Sequence, residues 1–236
     1  MIKLVDRAAA LRANPVLAYD VRAMQDAHDP EREHNRDSWE SEEEGRAWFA
    51  AYRDDFEAGK RPGEGWFPVY TLADRELDVD AFAEELPRGL GRLFEALGVD
   101  EVTFLHVART GRWPSERRHD RTIVAASEAF RALGAGEGFD GGIVADLGSL
   151  AEVVRPLFWS VRAAPDYGDV YFGGAGAPVV ASLCQYGSLH LSVYGAEWHA
   201  RVREAAADAG LLEVPDLDCG GYAPGGGRIP ERQLEV

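Results

Sequence analysis

Apolar residues alternate with polar ones in several short runs of the C-terminal half of the chain. In the last of these runs, Leu189, Leu191 and Val193 are separated by single polar residues. A period of two residues predicts a β-strand with one buried face and one wetter face. Four runs rich in aromatic and branched residues, separated by short breaks that contain Gly or Pro, are 157–163, 169–172, 179–185 and 188–194. Because the breaks are too short for a crossover helix, these runs predict an antiparallel meander over 157–194.

The pairing of the last two runs depends on the length of the loop between them. A three-residue loop keeps the apolar residues of 179–185 and 188–194 on one face, and it places Cys184 opposite His190. A two-residue turn would instead place Leu183 opposite His190 and mix the faces. Register follows the hydrophobic pattern, so the longer loop is favoured.

Helical spacing predominates in the rest of the chain. Ser41 and Glu44 form a capping-box pattern, in which the hydroxyl and the carboxylate each accept a hydrogen bond from a free N–H group. Helices are predicted at 4–13, 16–27, the segment after Ser41, 78–97, 122–133, 149–154 and 196–209, and further strands at 66–72, 102–108 and 141–145. With the meander, these elements predict an α+β fold in which helices 78–97, 122–133 and 196–209 pack on a mostly antiparallel sheet.

The domain organisation is predicted to be simple. A chain of 236 residues allows one large domain or two small ones. No flexible linker interrupts the sequence, which favours one domain over residues 1–236. We expect a helical acidic N-terminal layer at 1–65, a sheet-bearing core at 66–214 and a loop-like tail at 215–236 that is rich in Gly.

Charge restricts the classes of partner. The 41 acidic and 25 basic residues give a formal net charge of −16. Phosphate backbones would be repelled, so we expect no nucleic-acid binding. No run is long enough to span a membrane, so we expect no membrane association. The two cysteines are too few for a disulfide framework, and the N-terminus does not resemble a secretory signal, which together predict a cytoplasmic protein.

The segment 26–57 contains the strongest concentration of negative charge. Its 12 acidic and 4 basic residues sum to −8, half of the total of −16. Aromatic side chains are interleaved with the carboxylates. Charge accelerates encounter with a basic protein, and aromatic side chains are frequent anchors in interfaces. The residues predicted to bind such a partner are Trp39, Glu40, Glu42, Glu43, Glu44 and Trp48.

A basic loop stands out against this acidic background. Guanidinium groups match the geometry of phosphate and carboxylate, and the helix predicted after the loop offers free N–H groups at its start. The predicted anion-binding residues are Arg109, Arg112, Arg117, Arg118 and Arg121. With His106 or His190 as an acid–base group, this loop would suit an enzyme that acts on a small molecule or an anion. The alternative is that these arginines pair with carboxylates of the same protein.

The cysteines suggest a third kind of site. Thiolate and imidazole are the ligands that zinc prefers, and the candidate ligands are Cys184, His190, His199 and Cys219. Their spacing matches no compact zinc motif, and Cys219 falls in the loop-like tail. Cys184 and His190 are also a candidate nucleophile–base pair, although no sequence for an oxyanion hole accompanies them. The remaining interpretation is an ordinary thiol beside a hydrogen-bonded histidine.

No complete catalytic motif and no phosphate-binding loop occurs in its required context. The sequence therefore favours a non-enzymatic acidic binding protein that neutralises a basic protein, as an immunity or inhibitor protein does. It predicts no cofactor. The alternatives are the anion-binding enzyme and a zinc-stabilised domain.

Overall fold

A computed structural model describes residues 1–32, 35, 39–114, 121–164, 167–225, 227 and 229. Within these residues the chain forms helices and strands in nearly equal number. The helices are α1 Arg7–Ala13, α2 Pro15–Ala27, α3 Glu42–Tyr52, α4 Val79–Ala96, α5 Arg121–Ala132, α6 Leu150–Ala163 and α7 Ala196–Asp208. The strands are β1 Ile2–Val5, β2 Gly65–Trp66, β3 Val69–Leu72, β4 Glu101–His106, β5 Gly142–Asp146, β6 Val170–Gly173, β7 Val179–Leu183, β8 Leu189–Tyr194 and β9 Leu211–Glu213. The predicted α+β class is confirmed.

The strands form one sheet in which every pairing between described strands is antiparallel. Its order is β1-β5-β4-β6-β7-β8-β3-β9, and β2 pairs with β8 beside β3. Strands from both ends of the chain therefore lie in the same sheet. β1 forms one edge and β9 the other.

Helices cover both faces of the sheet. Phe104 and Phe172 stack at 4.9 Å and belong to the large apolar core beneath α4, α5, α6 and α7. Leu105, the next residue of β4, packs instead with Leu17 and Val21 of α2. Successive residues of a strand point to opposite faces, so β4 contributes to both cores. None of the helices in the described part of the chain is long and apolar enough to cross a membrane.

The predicted strand at 157–163 is wrong, because these residues form the second half of α6. Its aromatic and branched content is typical of strands, but Leu150, Val153, Leu157 and Phe158 are buried at the spacing of one helix face. That period becomes visible only when the run is extended back to residue 150. The antiparallel meander consists of β6, β7 and β8.

The predicted helix at 4–13 also needs correction at its start. Residues Ile2–Val5 form a strand that pairs antiparallel with β5. Asp6 separates this strand from α1 and caps the helix by accepting a hydrogen bond from the Ala9 N–H group at 3.0 Å. The N-terminal layer is thus not purely helical, and the sheet extends beyond the predicted limits of 66–214.

In the hairpin between β7 and β8, the apolar residues lie on the predicted face, but the two strands pair in a different register. Its loop has the predicted three residues, but Ser182 rather than Cys184 lies opposite His190. Cys184 donates its N–H group to the Ser188 carbonyl at 3.0 Å, and Gly187 has a φ of +82°, a conformation that favours glycine. The apolar residues of both strands still share one face, because the displacement is by an even number of positions.

Candidate functional site

Helix α3 lies on the surface, and most of its residues are exposed. Ser41 caps it, since its Oγ accepts from the Glu44 N–H group at 3.2 Å, while Glu44 accepts from the Glu40 N–H group at 3.1 Å. The predicted capping pattern therefore forms, except that the Glu44 carboxylate accepts from Glu40, the residue before the cap, and not from Ser41 itself. Gly45 is the one buried residue of α3. A Cβ at Gly45 would lie 3.0 Å from Pro30 and Trp39, so this glycine permits the helix to approach the preceding segment.

A stack of aromatic rings runs along this helix. The ring centroids of Trp39 and Trp48 are 4.7 Å apart, and those of Trp48 and Tyr52 are 4.5 Å apart and nearly parallel. All three side chains are half-buried, because the rings cover one another rather than entering the core. The Nε1 atom of Trp39 is buried and has no hydrogen-bond partner among the described residues. The two predicted tryptophan anchors therefore lie side by side.

Exposed carboxylates lie next to this stack, at the start of the same helix. Glu40, Glu42, Glu43 and Glu44 are all exposed around the first turn of α3. Glu42 and Arg46 form an ion pair at 3.3 Å, but both groups are exposed, so the pair contributes little. We call Trp39, Glu40, Glu42, Glu43, Glu44 and Trp48 the acidic aromatic surface. These residues, which the sequence predicted for partner binding, lie just before and along the first turns of α3, and their role in binding stays a prediction.

A cavity of about 540 Å³ opens beside the acidic aromatic surface. Its walls include Trp39, Glu31 and Glu42, and also Arg46. A cationic side chain that entered this cavity would meet two carboxylates and an aromatic face. Both groups attract guanidinium and ammonium ions.

Buried polar contacts anchor the end of α3 to the body of the protein. The guanidinium of Arg7 forms a two-bond ion pair with Asp54, with both distances 2.7 Å, and donates to the carbonyls of His106 and Val107. Gln25 donates to the same Asp54 carboxylate at 2.8 Å. We call Arg7, Gln25 and Asp54 the polar anchor. Asp54 belongs to the acidic segment 26–57, yet it is only 7% exposed.

The basic loop is only partly described. Arg117 and Arg118 lie outside the described residues. Arg109 and Arg112 are exposed and line different cavities, while Arg121 is exposed at the first residue of α5. The described arginines therefore do not converge on one point, and the anion site stays a prediction.

His106, the acid–base candidate for that site, is enclosed between aromatic rings. Its ring lies 4.8 Å from Trp113 and 5.2 Å from Tyr167, and the residue is 2% exposed. Burial, together with the nearby charge of Arg7, lowers its pKa to about 3. The imidazole is consequently neutral at neutral pH. Its Nε2 atom is buried, and no residue in the described part of the chain forms a hydrogen bond with it.

Three of the four predicted metal ligands come together. The Sγ atom of Cys219 lies 3.4 Å from Nε2 of His190, and the nearest ligand atoms of Cys184, His190 and Cys219 all lie within 4.8 Å of one another. His199 is not part of this group. Its ring packs 5.3 Å from that of Trp66.

The sheet and the C-terminal segment together assemble this cluster. Cys184 follows β7, and His190 lies in β8 beside Val69 of β3. The segment after β9 is held to β3 by a 2.7 Å hydrogen bond from the Val214 N–H group to the Val69 carbonyl, and it then turns back to bury Cys219. No local pattern predicted this return, since glycine-rich composition alone indicates a loop.

The electrostatics of the cluster disfavour a cysteine nucleophile. Burial raises the pKa of Cys184 to about 11, so its thiol stays protonated at neutral pH. Burial also lowers the pKa of His190, against the opposing effect of Asp169. A thiolate–imidazolium pair is therefore not the resting form of these groups. A cavity of about 770 Å³ adjoins the cluster, and Asp169 and Asp218 are among its walls.

Some functional and structural residues had no recognisable signal in the sequence. The polar anchor joins residues far apart in the chain, and no local pattern relates them. The hydrogen bond from the Tyr194 hydroxyl to Asp20 likewise connects α2 with β8.

Comparison with protein-family models, with curated proteins and with solved structures finds no match for this chain.

Proposed function

We propose that this protein binds a basic protein through the acidic aromatic surface and neutralises it, in the manner of an immunity or inhibitor protein. The observation that supports the proposal is the juxtaposition on α3 of stacked, half-buried tryptophans with four exposed carboxylates. Energetically important interface residues are enriched in tryptophan and tyrosine, and they lie inside a polar rim.

Charge complementarity specifies the chemistry of the partner. The chain as a whole has a net charge of −16, and the acidic aromatic surface contributes four carboxylates, of which Glu42 pairs with the exposed Arg46. An approaching basic protein would be accelerated by the overall field and oriented by the local one. One of its Arg or Lys side chains would enter the cavity beside Trp39 and Glu42.

The attachment of α3 suits a binding role. The polar anchor and the 2.8 Å contact between Arg53 and Asp26 hold the end of the helix, while its aromatic residues remain accessible. A surface held in its bound geometry loses less entropy when the partner arrives. We place this encounter in the cytoplasm, since neither cysteine forms a disulfide.

The test compares two charge-reversed baits of equal net charge. The first bears Glu42→Lys, Glu43→Lys and Glu44→Lys. The control bears Glu95→Lys, Glu128→Lys and Glu204→Lys, three exposed positions on α4, α5 and α7. Each set changes the net charge from −16 to −10, because three reversals add two units each. We expect the wild-type protein and the control to capture the same basic protein from the native host, and the first variant to lose it.

Quantitative binding then separates specific recognition from general attraction. With the captured partner purified, calorimetry should show an affinity that falls as salt is added, because exposed charges are screened beyond about 8 Å at physiological ionic strength. Trp48→Ala should weaken binding by about 2 kcal/mol or more, as loss of an interface anchor does. Equal losses in the two charge-reversed proteins, or an unchanged affinity in Trp48→Ala, would refute the proposal.

A further inference from the structure

We propose that Cys184, His190 and Cys219 form a zinc site with three protein ligands, whose fourth coordination position faces the adjoining cavity. Zinc binds sulfur at about 2.3 Å and nitrogen at about 2.0–2.1 Å, so neighbouring ligand atoms in a tetrahedral site are about 3.5 Å apart. Cys219 Sγ and His190 Nε2 are already 3.4 Å apart, and all three ligand atoms lie within 4.8 Å. Small rotations of the side chains would therefore suffice to admit the ion.

The ligand set selects the type of metal. Thiolate and imidazole are the softer protein ligands, which favour zinc over magnesium or calcium. Two thiolates neutralise the charge of a divalent ion, and the imidazole adds none. A neutral complex suits this location, because Cys219 is only 8% exposed and Cys184 is partly buried. An uncompensated charge in the same place would be costly.

The backbone beside Cys219 adopts an unfavourable conformation that brings this residue to the cluster. Asp216 and Leu217 have φ values of +52° and +59°, in the left-handed region that residues other than glycine rarely occupy. The turn they form directs the chain back over β8 and β3, and Cys219 then donates its N–H group to the Leu217 carbonyl at 2.8 Å. Strained backbone is retained where other interactions determine its geometry. Coordination of an ion by Cys219 would supply such an interaction.

The coordination sphere would be incomplete. Among the described residues, these three are the His, Cys, Asp or Glu side chains whose ligand atoms converge. The cavity of about 770 Å³ lies directly against them. Three protein ligands and an open position are typical of zinc sites that bind a water molecule or a small ligand, whereas structural sites are closed by four.

The decisive measurement is metal uptake by the wild-type protein. Protein made in zinc-supplemented medium, and purified with a phosphine reductant but no chelator, should contain about one zinc per chain by elemental analysis. After the zinc is removed, Co²⁺ should restore binding and give the thiolate-to-cobalt absorption and visible bands of a four-coordinate site. Azide should shift these visible bands if the fourth position is open, and unchanged bands would refute the open position.

Variants identify the ligands. Cys184→Ser, Cys219→Ser and His190→Ala should each weaken Co²⁺ binding more than about 100-fold, since even loss of a residue that only supports a ligand costs 10–100-fold. His199→Ala is the matched control and should bind Co²⁺ like the wild type. A folded wild-type protein that takes up neither Zn²⁺ nor Co²⁺, or uptake that survives the three ligand variants, would overturn the proposal. So would a Cys184–Cys219 disulfide that persists in the reductant.

Discussion

The two faces of the sheet are covered in different ways. Beneath α4 to α7 most contacts are apolar, with Leu86, Leu90 and Leu93 fully buried, although α6 also buries Arg162 and Ser160. On the face covered by α1 and α2, buried polar groups form part of the packing. They include the ion pair of Arg7 with Asp54 and the 3.0 Å hydrogen bond from Asn14 to Thr103. The first face therefore relies mainly on the hydrophobic effect, and the second relies to a greater extent on directional contacts.

This difference relates stability to binding. Apolar contacts remain favourable when the side chains shift slightly in orientation, whereas a two-bond ion pair requires one relative orientation of its two groups. A buried ion pair adds little net stability compared with an apolar replacement, but removing one member leaves the other charge uncompensated. The polar face is therefore well suited to fix the position of the segment that holds the acidic aromatic surface. It is also the face more sensitive to the loss of a single side chain.

Loss of Asp54 should have the largest effect. Asp54→Ala leaves the buried guanidinium of Arg7 without its carboxylate and removes an acceptor of Gln25. We expect the free energy of unfolding to fall by about 3–5 kcal/mol, as measured by urea denaturation followed by tryptophan fluorescence. Asp55 is exposed next to it, and Asp55→Ala should change the same quantity by less than about 0.5 kcal/mol. Equal effects at both positions would show that the polar anchor does not hold this face.

The next prediction concerns Asp20, which is buried beneath Tyr194 on the same polar face. Burial raises the pKa of Asp20 above its ordinary value of 3.8, although hydrogen bonds with Tyr194 and Ser192 and the charge of Arg61 oppose the rise. Between 3.8 and the raised pKa, the folded state binds more protons than the unfolded state. Stability therefore falls as the pH rises through this window and remains lower above it.

Asp20→Asn removes this titration. As the pH rises through this window, the free energy of unfolding of the variant should increase relative to that of the wild type. The total increase should be about 1.4 kcal/mol for each unit by which the pKa of Asp20 lies above its ordinary value. The measurement is the difference between the two proteins in urea denaturation at a series of pH values from acid to neutral. Asp208→Asn, at an exposed position of α7, should follow the wild-type profile. If the free energies of unfolding of Asp20→Asn and the wild type differed by the same amount at every pH, Asp20 would not have a raised pKa in the folded protein.

The same contrast explains how far the sequence could predict the molecule. Periodic apolar residues predicted the helices and strands of the apolar face, because one local pattern directs each element to one core. α6 was divided wrongly where strand-type residues occupied a helix face. The acidic aromatic surface could be predicted because its residues are neighbours in sequence. The polar anchor and the convergence of Cys219 with His190 depend on contacts between distant segments, which no local pattern encodes.

The smallest effect should come from the cap of α3, and it tests whether this helix folds with the core. Ser41→Ala removes the acceptor of the Glu44 N–H group, a loss of about 1 kcal/mol for the helix. Because α3 buries only Gly45, we expect faster hydrogen exchange in α3, by about fivefold, without a change in global stability.

Asp78 caps α4 through a 2.8 Å bond from the Ala81 N–H group, and α4 lies within the apolar core. Asp78→Ala should therefore lower the global free energy of unfolding by about 1 kcal/mol. If Ser41→Ala lowered it equally, α3 would belong to the cooperative core, and the separation between a stable body and an accessible binding helix would fail.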